Sequence, residues 1–270
     1  MERIYKLGVI GAGFMSSAII GGIISSDFLP AESIIVSDVN DIALENMSKK
    51  GVNVTKDNLA LCNSSEFVLF AVKPQSFSAL SNEICGCSCE KFISIMAGLK
   101  KEKIKNGIGN SNVKVARCMP NTPCSIGKGA VAVDLSDFND ENDKKFITGL
   151  LSSFAKVVSV TEDKLNAVTG ISGSSPAYFY LFIKGLVDAG VKYGLSFEDA
   201  KSLATATMIG AGEMINANPD KSLDDLINAV CSKGGTTIEA VKTFNDKGLS
   251  EIIDSAVDAC VKRSAELENL

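Results

Sequence analysis

The chain has 270 residues, of which 46% are hydrophobic and 22% charged, with 6 Pro and a formal net charge of -5. This balance excludes a disordered chain and suits two compact units. It also argues against nucleic acid or an anionic membrane surface as the main partner, since either favours a basic patch. Histidine is absent, which excludes chemistry that needs an imidazole base.

No apolar run approaches the roughly 20 residues that span a bilayer. The opening MERIYKLGVI enters a glycine turn without a charged-then-apolar leader, so a cytoplasmic protein is expected. The eight cysteines lie at 62, 85, 87, 89, 118, 124, 231 and 260, a spread that suits free thiols in a reducing compartment. Cys85, Cys87 and Cys89 are spaced by one residue, unlike a zinc knuckle, and are read as a surface turn between a helix and a strand, with no metal site.

Residues 5–10 read as a buried strand, followed by the turn Gly11-Ala12-Gly13 and an apolar helix to about Ser25. A second strand runs from Ser33 to Ser37 and ends at Asp38, with a polar helix to Lys50. Further strands are expected at 52–54, 67–72, 92–96, 113–117, 129–134 and 156–160, with a helix at about 141–153. Strands alternating with helices imply a parallel sheet with right-handed crossovers. Beyond Glu162 the strand signal disappears, and from Pro176 the pattern is helical with breaks near Gly194, Asn218-Pro219, Gly234-Gly235 and Gly248. The expected architecture is α/β: a Rossmann-like parallel-sheet domain over 1–162, then an all-α domain over 163–270. The helix from Pro176 to about Val191 carries only Lys184 and Asp188 as charges. Such a helix must be covered on every side, so a homodimer through this half is expected.

Gly11, Gly13 and Ser16 form a GxGxxG-type fingerprint with a small residue in the last place. The first glycine makes the turn, the second lets a pyrophosphate approach the backbone, and the third position needs a small side chain for packing. At the end of the second strand Asp38 favours NAD, Ser37 leaves room for NADP, and no arginine nearby settles the choice. The loops Ala71-Val72-Lys73-Pro74-Gln75 and Ala97-Gly98 follow later strands and should border the nicotinamide side, with Lys73 a candidate base.

Two helix starts are expected in the second half. Gly173-Ser174-Ser175-Pro176 places a serine at a cap and proline at the first helical position. Ser232-Lys233-Gly234-Gly235-Thr236-Thr237 leads into another helix, with Thr236 and Glu239 spaced as a capping box. Free amides at such ends bind a carboxylate without a basic side chain, and arginine occurs only at 3, 117 and 263.

The stretches GAGFMSSA at 11–18, AVKPQ at 71–75, ARCMPNTP at 116–123, AVTGISGSSPAY at 167–178 and SKGGTTIEA at 232–240 resemble the pyrroline-5-carboxylate reductase family along essentially the full chain. The resemblance implies a Rossmann domain with a helical dimerisation domain, rings of dimers in some members, and NAD(P)H-dependent reduction of 1-pyrroline-5-carboxylate to L-proline, with NADP as the family cofactor. Carried over by position, Gly11, Ala12, Gly13, Phe14 and Met15 would line the pyrophosphate, with Ser37 and Asn58 near the adenosine ribose. Ala71, Val72, Lys73, Pro74, Ala97 and Gly98 would meet the nicotinamide half, and Glu162 is an acid near the cofactor. Ser175, Ser232, Gly234, Gly235, Thr236 and Thr237 would hold the imino acid, and Thr237 is the catalytic candidate. Lys233 stands where the family has proline and Ser175 where it has glycine, which bears on substrate range. The alternatives are a reductase of a related small imine or hydroxy acid and a non-catalytic NAD(P)-binding regulator. Of the first kind, the beta-hydroxyacid dehydrogenases need a lysine and an asparagine where this chain has Phe179 and Ile183. The intact GGTT and MPNTP loops argue against the regulator.

Overall fold

Burial on both faces accounts for the sheet at the centre of the first unit. The computed structural model describes residues 4–268. In strand β1 (Tyr5–Ile10) Leu7 and Val9 point into one apolar layer and Ile10 into the other. Strand β4 (Ser65–Phe70) repeats the alternation with Phe67 and Leu69 against Val68 and Phe70. A strand buried on both faces has to be covered by helices on each side. Beside these lie β2 (Ile34–Ser37), β3 (Asn53–Thr55), β5 (Lys91–Ser94), β6 (Lys114–Pro120), β7 (Gly129–Asp134) and β8 (Ala155–Ser159), in the order β3-β2-β1-β4-β5-β6-β7-β8. The chain reverses direction across the sheet between β1 and β4, so the crevice at their carboxyl ends is where a doubly wound sheet takes its ligand.

The helices are α1 (Phe14–Ser25), α2 (Asp41–Ser48), α3 (Asn58–Ser64), α4 (Phe77–Ile84), α5 (Lys101–Ile108) and α6 (Glu141–Ser152). One layer holds Ile20, Phe154 and Leu150 and the other Phe77, Phe92 and Ile104. The expectation of a wholly parallel sheet needs correction at β7, which runs antiparallel to β6. Only residues 121–128, including the 3-10 turn Thr122–Ile126, separate the two strands. A parallel return needs a crossover of a dozen or more residues, so the chain turns back instead. Strand β4 starts two residues earlier than expected, directly after α3, which frees Ala71 and Val72 at its carboxyl end. The CxCxC run is also less superficial than expected: Cys85 is exposed, but Cys87 and Cys89 are buried beneath α4 and β5.

Compact packing divides the chain differently from the end of its strands. The first unit comprises Met1–Ser174 with Cys260–Leu270, and the second Ser175–Ala259. Helix α7 (Leu165–Val168) and the π turn Thr169–Gly173 stay with the sheet unit, where Leu165 and Gly170 are buried. The final helix, α12 (Leu249–Glu268), sends its last turns to the same unit, with the Ser264 hydroxyl donating to Asn166 Oδ1 at 2.7 Å.

The second unit holds α8 (Ser175–Lys192), α9 (Phe197–Ala217), α10 (Leu223–Val230) and α11 (Thr236–Asp246). Helices α8 and α9 approach closely at Gly190, where an added Cβ would stand 3.0 Å from Ala200 Cβ. Few side chains are fully covered, and on α8 Phe179, Tyr180 and Leu181 are exposed, Leu181 by 72%. Among the described residues no helix is long and apolar enough to cross a membrane.

Candidate cofactor cleft and substrate turn

The glycine turn after β1 is built for close backbone approach. Gly11 has φ +104°, and a Cβ there would lie 2.7 Å from Ala71 O. Its amide donates to Ser37 O at 2.8 Å, which fixes the turn against β2. Gly13 caps α1 in extended conformation with no side-chain cap, and no atom lies within 4 Å of an added Cβ. The first turn of α1 has no acidic residue. Ser16 is fully buried, as its place in the fingerprint requires. These residues fit a dinucleotide pyrophosphate: an open glycine cradle leads into an uncapped helix whose amides and dipole favour an anion. Phe14 is exposed beside the cradle, and Met15 packs partly into the core.

Ser37 and Asn58 form a linked pair at the carboxyl end of β2. The buried Ser37 hydroxyl donates to Asn58 Oδ1 at 2.6 Å, and Asn58 Nδ2 donates to Glu83 Oε2 at 2.6 Å. Asp38 folds back on the turn. Its Oδ2 accepts from Ala12 N at 2.7 Å and its Oδ1 from Asn40 N at 2.8 Å. A carboxylate thus stands just past the carboxyl end of β2, anchored by the glycine turn. Ala71 N donates to Ile10 O at 2.9 Å, and Lys73 with Pro74 opens the 3-10 turn Pro74–Ser76. Ala97 and Gly98 follow β5, and a cavity of about 590 Å³ is lined by Pro74, Gln75, Phe77, Ala97, Leu99 and Leu267.

Glu162 ties parts of the scaffold together. Its Oε1 accepts from Lys101 N at the start of α5 at 2.8 Å and from Arg117 Nη1 at 3.3 Å. Arg117 is buried and gives its Nη2 to Glu268 Oε1 at 2.8 Å. Burial pushes the Glu268 carboxyl up, but hydrogen bonds from Arg117 and Asn166 and the charges of Arg117 and Lys100 outweigh it and hold the group below the usual 4.5. Nearby, Lys101 Nζ lies 3.0 Å from Asp134 Oδ2 and 3.1 Å from Asp137 Oδ1. Burial pushes the Cys118 and Cys124 thiols up, which disfavours a thiolate nucleophile on this side.

In the second unit the two expected helix starts differ. Before Ser175 the π turn Thr169–Gly173 closes at Ser174, whose amide donates to Thr169 O at 2.9 Å. A new helix, α8, then starts at Ser175 with Pro176 in its first turn, within one residue of the expected start. Ser175 itself is buried. At the second start Gly234 has φ +73°, Gly235 N donates to Ser232 O at 2.9 Å, and Gly235 takes the cap position. The expected capping box of Thr236 with Glu239 is therefore replaced: Thr236 is the first helical residue, and no side chain caps α11. The first-turn amides of α11 thus have no side-chain cap. A capping box does form in this unit at Ser222 and Asp225 on α10, in an S-x-x-D version that the sequence reading passed over. That reading also gave no role to Asn121, whose Oδ1 accepts from Ala130 N at 2.9 Å and whose Nδ2 donates to Ser172 O at 3.3 Å. Its place in the MPNTP stretch was the available signal.

Comparison with known proteins agrees with this arrangement. The family description "Pyrroline-5-carboxylate reductase dimerisation" matches residues 162–267, and "NADP oxidoreductase coenzyme F420-dependent" matches 6–98. Pyrroline-5-carboxylate reductase of Haemophilus influenzae is 34% identical over 267 residues, covering 98% of each chain. That of Staphylococcus aureus is 36% identical over 271 residues, again covering 98% of each chain. Among solved structures, Coxiella burnetii pyrroline-5-carboxylate reductase superposes with a TM-score of 0.91 at 29% identity, covering 98% of both chains. Plasmodium falciparum pyrroline carboxylate reductase, solved with NADP bound, gives 0.86 at 29% identity, covering 99% of this chain and 100% of that one. Prephenate dehydrogenase of Aquifex aeolicus, at 14% identity and a TM-score of 0.52, shares the fold alone. With likeness over nearly the whole length and the glycine cradle in place, the chain belongs to the pyrroline-5-carboxylate reductase family.

Proposed function

We propose that this protein reduces 1-pyrroline-5-carboxylate to L-proline with NADPH, and that it works as a homodimer in the cytoplasm. The observation that carries the reading is the uncapped start of α11, where the Gly234-Gly235 turn leads into first-turn amides beside Thr236 and Thr237, with no basic side chain in the segment except the exposed Lys233. A bound reduced nicotinamide supplies a hydride to the imine carbon. The amides at Thr236 and Thr237, with Ser232, hold the substrate carboxylate through hydrogen bonds and the positive end of the helix. The Thr237 hydroxyl holds the ring nitrogen and orients the C=N bond.

A cyclic imine that arrives protonated already has an electrophilic carbon. The nitrogen keeps its proton, the carbon gains the hydride, and a secondary amine results without an acid or base of the enzyme. That suits a chain without histidine. On the cofactor side Gly13 and the first turn of α1 take the pyrophosphate, Ser37, Asn58 and Asp38 border the ribose, and Ala71–Pro74 with Ala97 and Gly98 flank the nicotinamide. The exposed apolar face of α8 supports the dimer, since a soluble chain rarely leaves such a patch to water. The eight free cysteines, most of them buried, support a reducing compartment.

The test is direct: NADPH absorbance should fall when pyrroline-5-carboxylate is added, with proline formed in equal amount. Cofactor binding without that loss would leave the protein a regulator.

A further inference from the structure

Arg117 lies in the ARCMPNTP stretch, and its buried side chain is engaged by the carboxylates of Glu162 and Glu268. From its contacts we infer that the last turn of α12 is a clamp that positions the Ala97–Gly98 turn, with Arg117 and Glu268 as its positioning residues. The inference rests on the reading above that this turn borders the nicotinamide. Gly98 has φ +69°, and a Cβ there would meet Leu267 at 3.1 Å from its Cβ and 3.2 Å from its carbonyl carbon. The turn and the end of the helix therefore touch nearly backbone to backbone.

The guanidinium holds the two sides of that contact together. Nη2 binds Glu268, the residue after Leu267, at 2.8 Å, and Lys100 Nζ reaches the other oxygen of Glu268 at 3.5 Å. Nη1 binds Glu162, and the same Glu162 oxygen takes the amide of Lys101. Lys100 and Lys101 come directly after the 97–99 turn, so one planar cation fixes the turn's exit and its cover at once. Two carboxylates, Arg117 and Lys100 balance in charge, and a guanidinium fork serves two acceptors in a way that a lysine cannot. Leu267 also lines the cavity that contains Pro74 and Ala97. Loosening the tail would thus let both loops on the nicotinamide side shift, and a misplacement near 1 Å costs about a hundredfold in rate.

The experiment compares Glu268→Ala and Leu267→Ala with the parent and with the distant core variant Ile147→Val. Dissociation constants for NADPH are measured on the cofactor-free protein by nicotinamide fluorescence, alongside Tm, kcat and KM for the imine. Both clamp variants should raise the NADPH dissociation constant about tenfold and lower kcat, while KM for the imine at saturating cofactor stays put. Ile147→Val should lower Tm with cofactor affinity unchanged. Leu267→Ala leaves every ion pair in place and keeps the test alive if Glu268→Ala folds poorly. If NADPH binding and kcat stay within about twofold of the parent in the folded clamp variants, whatever the Tm, the tail is a structural tie and the clamp is overturned. A parent protein that binds NADPH but reduces no imine defeats the proposed function instead, and the comparison of dissociation constants still decides the clamp.

Discussion

Exchanging each of the two turn glycines for alanine should separate folding from cofactor binding. At Gly11 the φ of +104° forces an L residue into strained backbone, and the new methyl would stand 2.7 Å from Ala71 O and 2.9 Å from Ala71 C, both backbone atoms of the neighbouring loop. The conformation costs about 1–3 kcal/mol and the overlap about 1–3 more. Together these take roughly 2–6 kcal/mol from a stability that is typically about 5–15. At about 2–4 °C per kcal/mol for a domain of this size, Gly11→Ala should melt on the order of 10 °C lower. Gly13 has ordinary φ, and its added Cβ meets nothing within 4 Å, so Gly13→Ala loses only the cap preference of glycine over alanine, about 0.5–1 kcal/mol. The same methyl stands where the pyrophosphate must approach, and a loss of about 1.4 kcal/mol there is a tenfold weaker complex. Thermal unfolding followed by circular dichroism gives the first quantity. Nicotinamide fluorescence gives the second, undisturbed by tryptophan because the chain has none. The reasoning fails if Gly13→Ala melts as low as Gly11→Ala, or if it binds NADPH as tightly as the parent.

Thr237→Ala is expected to keep NADPH affinity and lose about a hundredfold in kcat, with Thr237→Ser retaining most of the activity; steady-state kinetics with full turnover in the alanine variant would remove Thr237 from the mechanism. Burial pushes the Asp134 carboxyl up, but hydrogen bonds from Ser136 and Lys101 hold it below the usual 3.8, and Asp137 is held low likewise by Lys105 and Lys101. Their stabilisation is therefore complete above pH 3.8 and is lost as pH falls through the lowered values. Urea midpoints measured down the acid range should fall less steeply in Asp134→Asn than in the parent. Lys101→Met, which leaves the buried Asp134 without its cation, should cost about 3–5 kcal/mol at neutral pH, read from the same midpoints. Leu181→Asp, on the exposed face of α8, should give a folded monomer by light scattering; a dimer that persists would place the contact elsewhere.

What the sequence disclosed depended on how local the cause was. The strand at 5–10, the glycine turn and the helix after it are set by neighbours within a few residues, and structure and expectation agree on them. The direction of β7 is not local: its alternation reads the same whichever way it pairs, and only the short 121–128 connection decides it. At Thr236 the spacing suited a capping box, but two successive glycines let the chain place Gly235 at the cap first. At Ser175 the serine-proline signal suited a helix start, and α8 begins there, although nothing local announced the π turn Thr169–Gly173 just before it. The partner of Arg117 was beyond reach of any pattern, since Glu268 is 151 positions away and meets it only once α12 returns to the sheet unit.

That return bears on how an acid can be held at all. Of the arginines in the described residues, Arg117 is committed to Glu162 and Glu268, and Arg263 pairs with Glu266 on the surface at 2.6 Å. The buried Lys101 is equally committed, to Asp134 and Asp137. Arg117 and Lys101 are thus spent on fixing the scaffold, where a buried charge must be paired to be tolerated. On the proposed reading a substrate carboxylate goes to backbone amides at a helix start. Such amides add no flexible side chain to be ordered on binding, and their direction is fixed by the fold itself. On this view the two glycines before α11 matter as much as the threonines after them. Gly235 keeps the cap free of a side chain that would take the amides for itself, so Gly235→Ser should stabilise the second unit slightly by capping α11 while raising KM for the imine. A rise in thermal stability without any rise in KM would show that the carboxylate binds somewhere else.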